Sequence, residues 1–275
     1  MGGLMSKETT DTDANNKREK VIFFGNGLLA KYALEVIEQT CQVIFHAKTS
    51  DDLAEVCKLK KKYPEAHGVL ASFGIIIKPE ILKIFEPEGI LNIHPSLLPA
   101  YRGASPIESA ILAGDETFSV SVMKLVKEMD AGPIYYQTTL ADLPRCKNDI
   151  YKALAETGAK WITENITNLQ KPFLQDSSKA TYCGKLDKSM SLLTPETDSA
   201  KLTLRKIIAY QGYPKPKYAL FGVNCIILDA HALKTGEEAP ITLKCADGAL
   251  VAVDKLQPEG KKPMDAKAFL NGYKK

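Results

Sequence analysis

Short apolar runs alternate with amphipathic stretches through the first part of the chain, and that alternation restricts the fold more than any other feature. Val21-Ile22-Phe23-Phe24 is a compact apolar run closed by Gly25, and it reads as a buried strand. A helical pattern follows through Ile37. A second strand is expected at Cys41 to Phe45, then a helix from Asp51 to Lys62. Gly68 to Gly74 forms a third strand and its turn, Pro79 to Phe85 a short helix, and Gly89 to Ile93 a fourth strand. Strands separated by helices pair in parallel, because each return must cross a face of the sheet. The expected class is therefore α/β, with a Rossmann-like, mostly parallel sheet. Ligands of such sheets sit at the carboxyl ends of the strands.

The first strand-to-helix turn reads Gly25-Asn26-Gly27-Leu28-Leu29-Ala30, a GxGxxA pattern. The pattern is shared with dinucleotide sites. Glycines also serve a tight strand-to-helix turn with no phosphate present, and that reading is preferred. Asp51 and Asp52 lie where a ribose-binding acid would be sought, but they head the next helix and read as its cap.

The stretch from Gly89 to Gln137 carries the chemistry. Asn92 and His94 follow an apolar run two residues apart, so an extended backbone places both side chains on one side. Pro95 and Pro99 bracket Ser96-Leu97-Leu98 and stiffen the segment. Asp130 follows in Met129-Asp130-Ala131-Gly132-Pro133, a turn between two expected strands, Phe118 to Val126 and Pro133 to Leu140. An imidazole can relay a proton near neutral pH. An amide donor can stabilise a developing oxyanion, and losing one such donor costs roughly 10²–10³ in rate. No Ser or Cys stands in a nucleophile-elbow motif, so direct attack by a substrate amine is favoured over a covalent acyl-enzyme.

Beyond Pro133–Leu140, Asp149 to Gln170 reads as a long amphipathic helix with Trp161 on its apolar side. The polar segment 185–203 reads as a linker. After it come short strands at Leu220–Leu228, Ile241–Cys245 and Leu250–Val253, the texture of a small β-barrel. This C-terminal part carries 13 Lys+Arg against 7 Asp+Glu from Ala200 onward, a balance of +6 within a whole-chain +3. Such asymmetry fits an anionic partner. Lys58, Lys60, Lys61 and Lys62 form a second basic cluster at a helix end, where the helix dipole also favours cations.

No run of apolar residues is long enough to span a membrane. The first 19 residues lack the apolar core of a signal peptide and read as a disordered tail. The six cysteines form no CxxC pair and no cluster with histidine, so neither a disulfide framework nor a metal site is expected, and a cytoplasmic setting is.

Three segments resemble the folate-dependent formyltransferase family: Asn92-Ile93-His94-Pro95-Ser96-Leu97-Leu98-Pro99, Arg102-Gly103-Ala104-Ser105-Pro106-Ile107, and Met129-Asp130-Ala131-Gly132. The second is more like the branch acting on methionyl-tRNA than the purine-pathway branch. Gln257 to Met264, Phe269 to Gly272 and Ala180 to Leu186 resemble the same branch. The resemblance implies a catalytic set of Asn92, His94 and Asp130, with Ser96, Leu97, Leu98 and Pro99 facing the folate. It implies 10-formyltetrahydrofolate as donor, initiator methionyl-tRNA as acceptor, and an oligonucleotide-binding (OB)-like barrel that helps hold the tRNA. The region between the second strand and Gly68 is shorter than in the family and lacks its basic loop, so the expected tRNA surface is reduced.

The expected organisation is a tail (1–19), a catalytic domain (20–184), a linker (185–203) and an OB-like tRNA-binding domain (204–275). A monomer is expected, with no metal, no membrane contact and no obligate protein partner. The alternative acceptor is an amino sugar nucleotide, which the same catalytic set could serve.

Overall fold

The computed structural model describes residues 18–144 and 146–273, so most of the expected N-terminal tail lies outside the described residues. The chain runs β1 (Lys20–Gly25), α1 (Gly27–Thr40), β2 (Gln42–Ala47), α2 (Leu53–Lys62), β3 (His67–Ala71), α3 (Pro79–Lys83) and β4 (Ile90–His94). It continues with β5 (Arg102–Gly103), α4 (Pro106–Ala113), β6 (Phe118–Lys124), β7 (Ile134–Leu140), α5 (Lys147–Asn165) and β8 (Tyr182–Cys183). The last part is α6 (Ala200–Ala209), β9 (Lys217–Leu220), β10 (Val223–Ala232), β11 (Thr242–Lys244), β12 (Leu250–Pro258), β13 (Met264–Asp265) and α7 (Ala266–Tyr273).

The first sheet has the order β2-β1-β3-β4-β6-β7. Its first four strands are parallel, and β6 and β7 are antiparallel. Strands β1 and β4 are buried on both faces. Val21, Phe23, Leu91 and Ile93 pack toward α1 and α5, whereas Ile22, Phe24 and Ile90 pack toward α2 and α3. The two-residue period of β4 therefore puts Asn92 and His94 on the face of Ile90. Helix α5 presses close on the opposite face: a Cβ on Gly158 would lie 2.8 Å from Ile93 Cγ2.

The second sheet, β11-β12-β10-β9 with β13 beside β12, is antiparallel and curls into a half-barrel. Ile227, Leu243, Val251, Val253 and Leu256 fill its core together with Ile207 of α6 and Phe269 of α7. Tyr273 stacks on Phe269 at 4.5 Å. The protein is thus an α/β sheet structure joined to a small β-barrel-like unit.

The expected elements are present, with five differences. The stretch Leu220–Leu228, read as one strand, is divided by a tight turn at Phe221-Gly222 into the end of β9 and the start of β10, which pair antiparallel. The long helix ends at Asn165 rather than Gln170, because the chain turns and Phe173 exchanges two backbone hydrogen bonds with Ile134, at 2.8 and 2.9 Å. Helix α6 begins at Ala200, inside the stretch read as a linker, and Ser199 caps it by accepting from Leu202 N at 3.2 Å. The β5–β8 pair had no periodicity that would mark it, and α7 was not assigned although Ala266, Phe269, Leu270 and Tyr273 share one helical face. Asp52 does not cap α2. Its carboxylate instead accepts the backbone N–H groups of Lys48 and Thr49, both at 2.8 Å, which hold it below the usual carboxylate range. Trp161 is half-buried and stacks on Tyr136 at 5.2 Å.

Helix α6 docks on the first sheet unit through apolar packing of Ala209 and Tyr210 and through polar contacts. Lys147 Nζ donates to Glu108 Oε1 (3.2 Å) and to Ala209 O at the end of α6 (2.8 Å). Burial pushes the Lys147 amine down, while Glu108 opposes the shift. Tyr151 donates to the same Glu108 oxygen at 2.9 Å, and Arg205 reaches Ala113 O at 3.3 Å. All six cysteines are free thiols. Among the described residues no helix is long and apolar enough to cross a membrane.

Of the two glycines in the turn after β1, Gly25 is explained by packing and Gly27 by its left-handed φ of 77°. A Cβ on Gly25 would lie 2.3 Å from the Ala71 carbonyl oxygen and 2.7 Å from Ala30 Cβ. The neighbouring Asn26 N–H donates to Ser72 O at 3.0 Å, so the ends of β1 and β3 are drawn together. Gly25→Ala should therefore destabilise the protein by about 1–3 kcal/mol through overpacking. A denaturant melt checks this, and an unchanged midpoint would remove the packing explanation for that glycine.

Candidate active site

Three of the sequence-predicted residues converge at the carboxyl end of β4. Asn92 and His94 are 5% and 4% exposed, deep for polar side chains. Asp130 arrives from the β6–β7 connection, with its carboxylate Oδ2 3.7 Å from His94 Nδ1.

The chemistry of its neighbours settles how His94 is set. Its Nε2 lies 2.9 Å from the carbonyl oxygen of Tyr101. A carbonyl only accepts, so Nε2 carries a proton. In the neutral ring Nδ1 is then the basic atom, and it faces Asp130. A separation of 3.7 Å is too long for a hydrogen bond. The ring is oriented by the Tyr101 backbone carbonyl, and Asp130 faces its other nitrogen without a hydrogen bond.

Asp130 is itself held. Its Oδ2 accepts the Gly103 N–H at 2.8 Å, and its backbone is left-handed, with φ of 48°. Two close approaches make that turn possible. A Cβ on Gly132 would lie 1.8 Å from Lys124 O, and one on Gly103 would lie 2.1 Å from Cys183 O.

Among the described residues, the Asn92 side-chain amide has no hydrogen-bond partner, although no fully buried side-chain N or O atom lacks one. Its amide must therefore reach solvent, and it presents an uncommitted donor beside His94. A buried strand residue that leaves its amide unpaired costs stability unless a ligand uses it. The group can donate to an oxygen, the imidazole can exchange a proton, and the carboxylate can take one.

The four loop residues expected to face a folate divide into two kinds. The Ser96 hydroxyl donates to Ala100 O at 2.6 Å, and the Leu98 side chain packs with Met123 and Ile134. Leu97 points outward, 47% exposed, and Pro99 is half-buried. The loop is anchored by two residues with no sequence signal of function. Ser121 is fully buried; its hydroxyl donates to Ser96 O (2.6 Å) and accepts from Leu98 N (3.2 Å). Gln137 donates to both Leu98 O and Ser121 Oγ at 2.8 Å. Both lie on strands that flank the loop, so only the sheet register reveals them.

Other candidates lie elsewhere. Among the lysines of α2, Lys60 turns inward to Pro64 O and Ala66 O, and Lys58 pairs with Glu55, which leaves Lys61 and Lys62 as the exposed cations past them. Two clefts, of about 630 Å³ along β9 and β11 and about 560 Å³ beside α4 and α6, contain none of the three polar residues. Among the described residues no cluster of three His, Cys, Asp or Glu side chains could hold a metal ion.

Comparison with known proteins places the chain in a family. The family described as formyl transferase matches residues 22–166, and the formyl transferase C-terminal domain matches residues 197–274. A methionyl-tRNA formyltransferase of Borrelia turicatae is 31% identical over 269 residues, 90% of this chain and 85% of that protein. HypX from Aquifex aeolicus, solved with tetrahydrofolic acid, is 19% identical with a TM-score of 0.72. This chain aligns over 94% of its own length there, yet spans only about half (48%) of HypX. The N-formyltransferase from Helicobacter canadensis, solved with folinic acid and dTDP-3-aminofucose, is 16% identical with a TM-score of 0.62, over 86% of this chain and 98% of that one. At those identities the two structures speak for the fold alone.

Ser121→Ala removes an acceptor for Leu98 N–H and a donor for Ser96 C=O, and unmade buried bonds of this kind cost roughly 1–3 kcal/mol. The loss should appear as faster hydrogen exchange confined to the loop from Ser96 to Arg102. Unchanged exchange there would show that Ser121 does not anchor it.

Proposed function

The chain belongs to the formyl transferase family, and we propose that it transfers the formyl group of 10-formyltetrahydrofolate to the amino group of methionyl-initiator tRNA. The observation that carries the transfer chemistry is the unpaired amide of Asn92 beside the proton-bearing imidazole of His94 and the Asp130 carboxylate, all at one strand end. The acceptor rests on the near-full-length likeness to a methionyl-tRNA formyltransferase and on the basic balance of the C-terminal part.

In this reading the neutral amine attacks the formyl carbon, and a C–N bond forms as the carbonyl π pair moves to oxygen. The Asn92 amide donates to that oxygen, where a single donor is worth roughly 10²–10³ in rate. His94 adds a second donor when Nδ1 is protonated. The proton lost by the attacking nitrogen passes to Asp130, directly or through one water. The bond from carbon to N10 of the folate then breaks, and N10 takes up a proton, which leaves tetrahydrofolate and the formylated amine. Leu97 and Pro99 offer an outward apolar wall for the folate, while Ser96 and Leu98 keep that wall in place from inside.

The decisive assay offers 10-formyltetrahydrofolate with either methionyl-initiator tRNA or an amino sugar nucleotide. Formylation of the tRNA is expected. Formylation of the sugar alone would move the protein to the alternative acceptor. With the preferred acceptor, Asn92→Ala should cost roughly 10²–10³ in single-turnover rate. His94→Ala and Asp130→Ala should fall at least as far, and a near-normal rate in any of the three would defeat its assignment.

A further inference from the structure

Asp130 depends on contacts made from outside its own turn. It carries a left-handed backbone, and it does not touch His94 closely enough for a hydrogen bond to set the distance between them. Two residues that the reaction does not otherwise use close the gap. Gln175 lies after α5, between the two regions matched to the family, in a segment without regular structure. Its Nε2 donates to the carbonyl oxygens of Asp130 (2.8 Å) and Gly132 (2.7 Å), bridging the turn. Its Oε1 accepts from Arg102 Nε (3.1 Å) and Nη2 (2.7 Å).

The amide orientation is not ambiguous. Arg102 can only donate, and the two carbonyls can only accept. Oxygen must face the guanidinium, and nitrogen must face the turn. A primary amide supplies both an acceptor and two donors on one rigid plane, which neither a carboxylate nor an apolar side chain does. Arg102 is 3% exposed and forms no ion pair among the described residues, so its guanidinium relies on Gln175 and on Ser177 Oγ (3.4 Å). The next residue along the chain, Gly103, donates to the Asp130 carboxylate. Two consecutive residues of β5 thus grip Asp130 twice: Gly103 through the side chain, and Arg102 through Gln175 and the backbone.

We propose that Gln175, oriented by the buried Arg102, is a positioning residue that fixes Asp130 against His94. The proposal rests on the reading of Asp130 as part of the transfer machinery. The hydrogen bonds of half-buried Gln175 go to Arg102 and to the 130–132 turn, so its loss should displace the turn while the fold persists. Misplacement of a reacting group by about 1 Å can cost 10²-fold in rate.

The test compares wild type, Gln175→Met, Gln175→Glu and Asp130→Ala in the full chain, with 10-formyltetrahydrofolate and methionyl-initiator tRNA. Gln175→Met removes the bridge at constant length. Gln175→Glu keeps the acceptor for Arg102 but sets an oxygen against two carbonyl oxygens. We expect kcat to fall about ten- to a hundredfold in both Gln175 variants, while KM for donor and acceptor stays within about twofold. In Gln175→Glu the acid limb of the kcat–pH profile should move to higher pH, because an added negative charge disfavours the ionised form of Asp130. In Gln175→Met it should stay in place. A merely structural role would lower the melting temperature and leave kcat of the folded protein and its pH profile unchanged, and that result overturns the proposal. If Asp130→Ala loses activity while both Gln175 variants keep it, the positioning role alone fails. If Asp130→Ala keeps the wild-type rate, the reading of the site fails and the positioning role with it.

Discussion

The hydrogen bond from His94 Nε2 to the Tyr101 carbonyl is the contact on which the site is built. It places a proton on one ring nitrogen, leaves the other as the working atom, and aims that atom at Asp130. The bond exists only because the chain after β4 doubles back within seven residues, with Tyr101 in a left-handed conformation at φ of 56°. That reversal is in turn held by the β5–β8 pair, where Tyr101 N donates to Thr181 Oγ1 at 2.9 Å and Arg102 N to Thr181 O at 2.9 Å. A side chain of catalytic type is therefore oriented by backbone seven residues on, which is itself held by a segment about 80 residues further along the chain.

The surroundings share a division of labour. Residues of the regular strands carry the donors, and residues of irregular segments set their partners. Asn92 and His94 sit on β4, which is packed from both faces and is accordingly rigid. The Ser96–Pro99 loop is tied to the sheet by Ser121 and Gln137, and Asp130 is held from outside the sheet by Gly103 and Gln175. A polar group so deep in the protein is tolerable when it is paired or when a ligand will pair with it. The unpaired Asn92 amide is the exception in this set, and exceptions of that kind mark function more often than packing does.

The C-terminal unit is joined to the first by the burial of Ala209 and Tyr210 in the latter's core and by a buried polar cluster. Lys147, Glu108 and Tyr151 meet in a buried cluster, and Lys147 also reaches the last turn of α6. Breaking one partner of a buried ion pair leaves the other charge uncompensated, which costs several kcal/mol, on the order of 3–5. The contact gives α6 a fixed seat on the first unit, and the half-barrel follows α6 through the packing of Ile207.

Much of the fold was legible in the chain. Strands β1 and β3 hold continuous apolar runs because both their faces are covered, and the two-residue period of β4 alone put Asn92 and His94 on one side. Their pairing with Asp130 was readable only through the family resemblance, since nothing in local periodicity links β4 to a turn beyond β6. The segments that failed to announce themselves were short or irregular: β5, β8, and the stretch holding Gln175. Their structure comes from long-range backbone and side-chain bonds, which leave no repeating pattern in the sequence. By itself the sequence determined the sheet, the side of β4 that carries polar groups, and the identity of the groups able to act on a carbonyl. The tertiary structure decided which nitrogen of His94 bears the proton, which loop residues face outward, and what holds Asp130, because each depends on donors and acceptors brought together from distant parts of the chain.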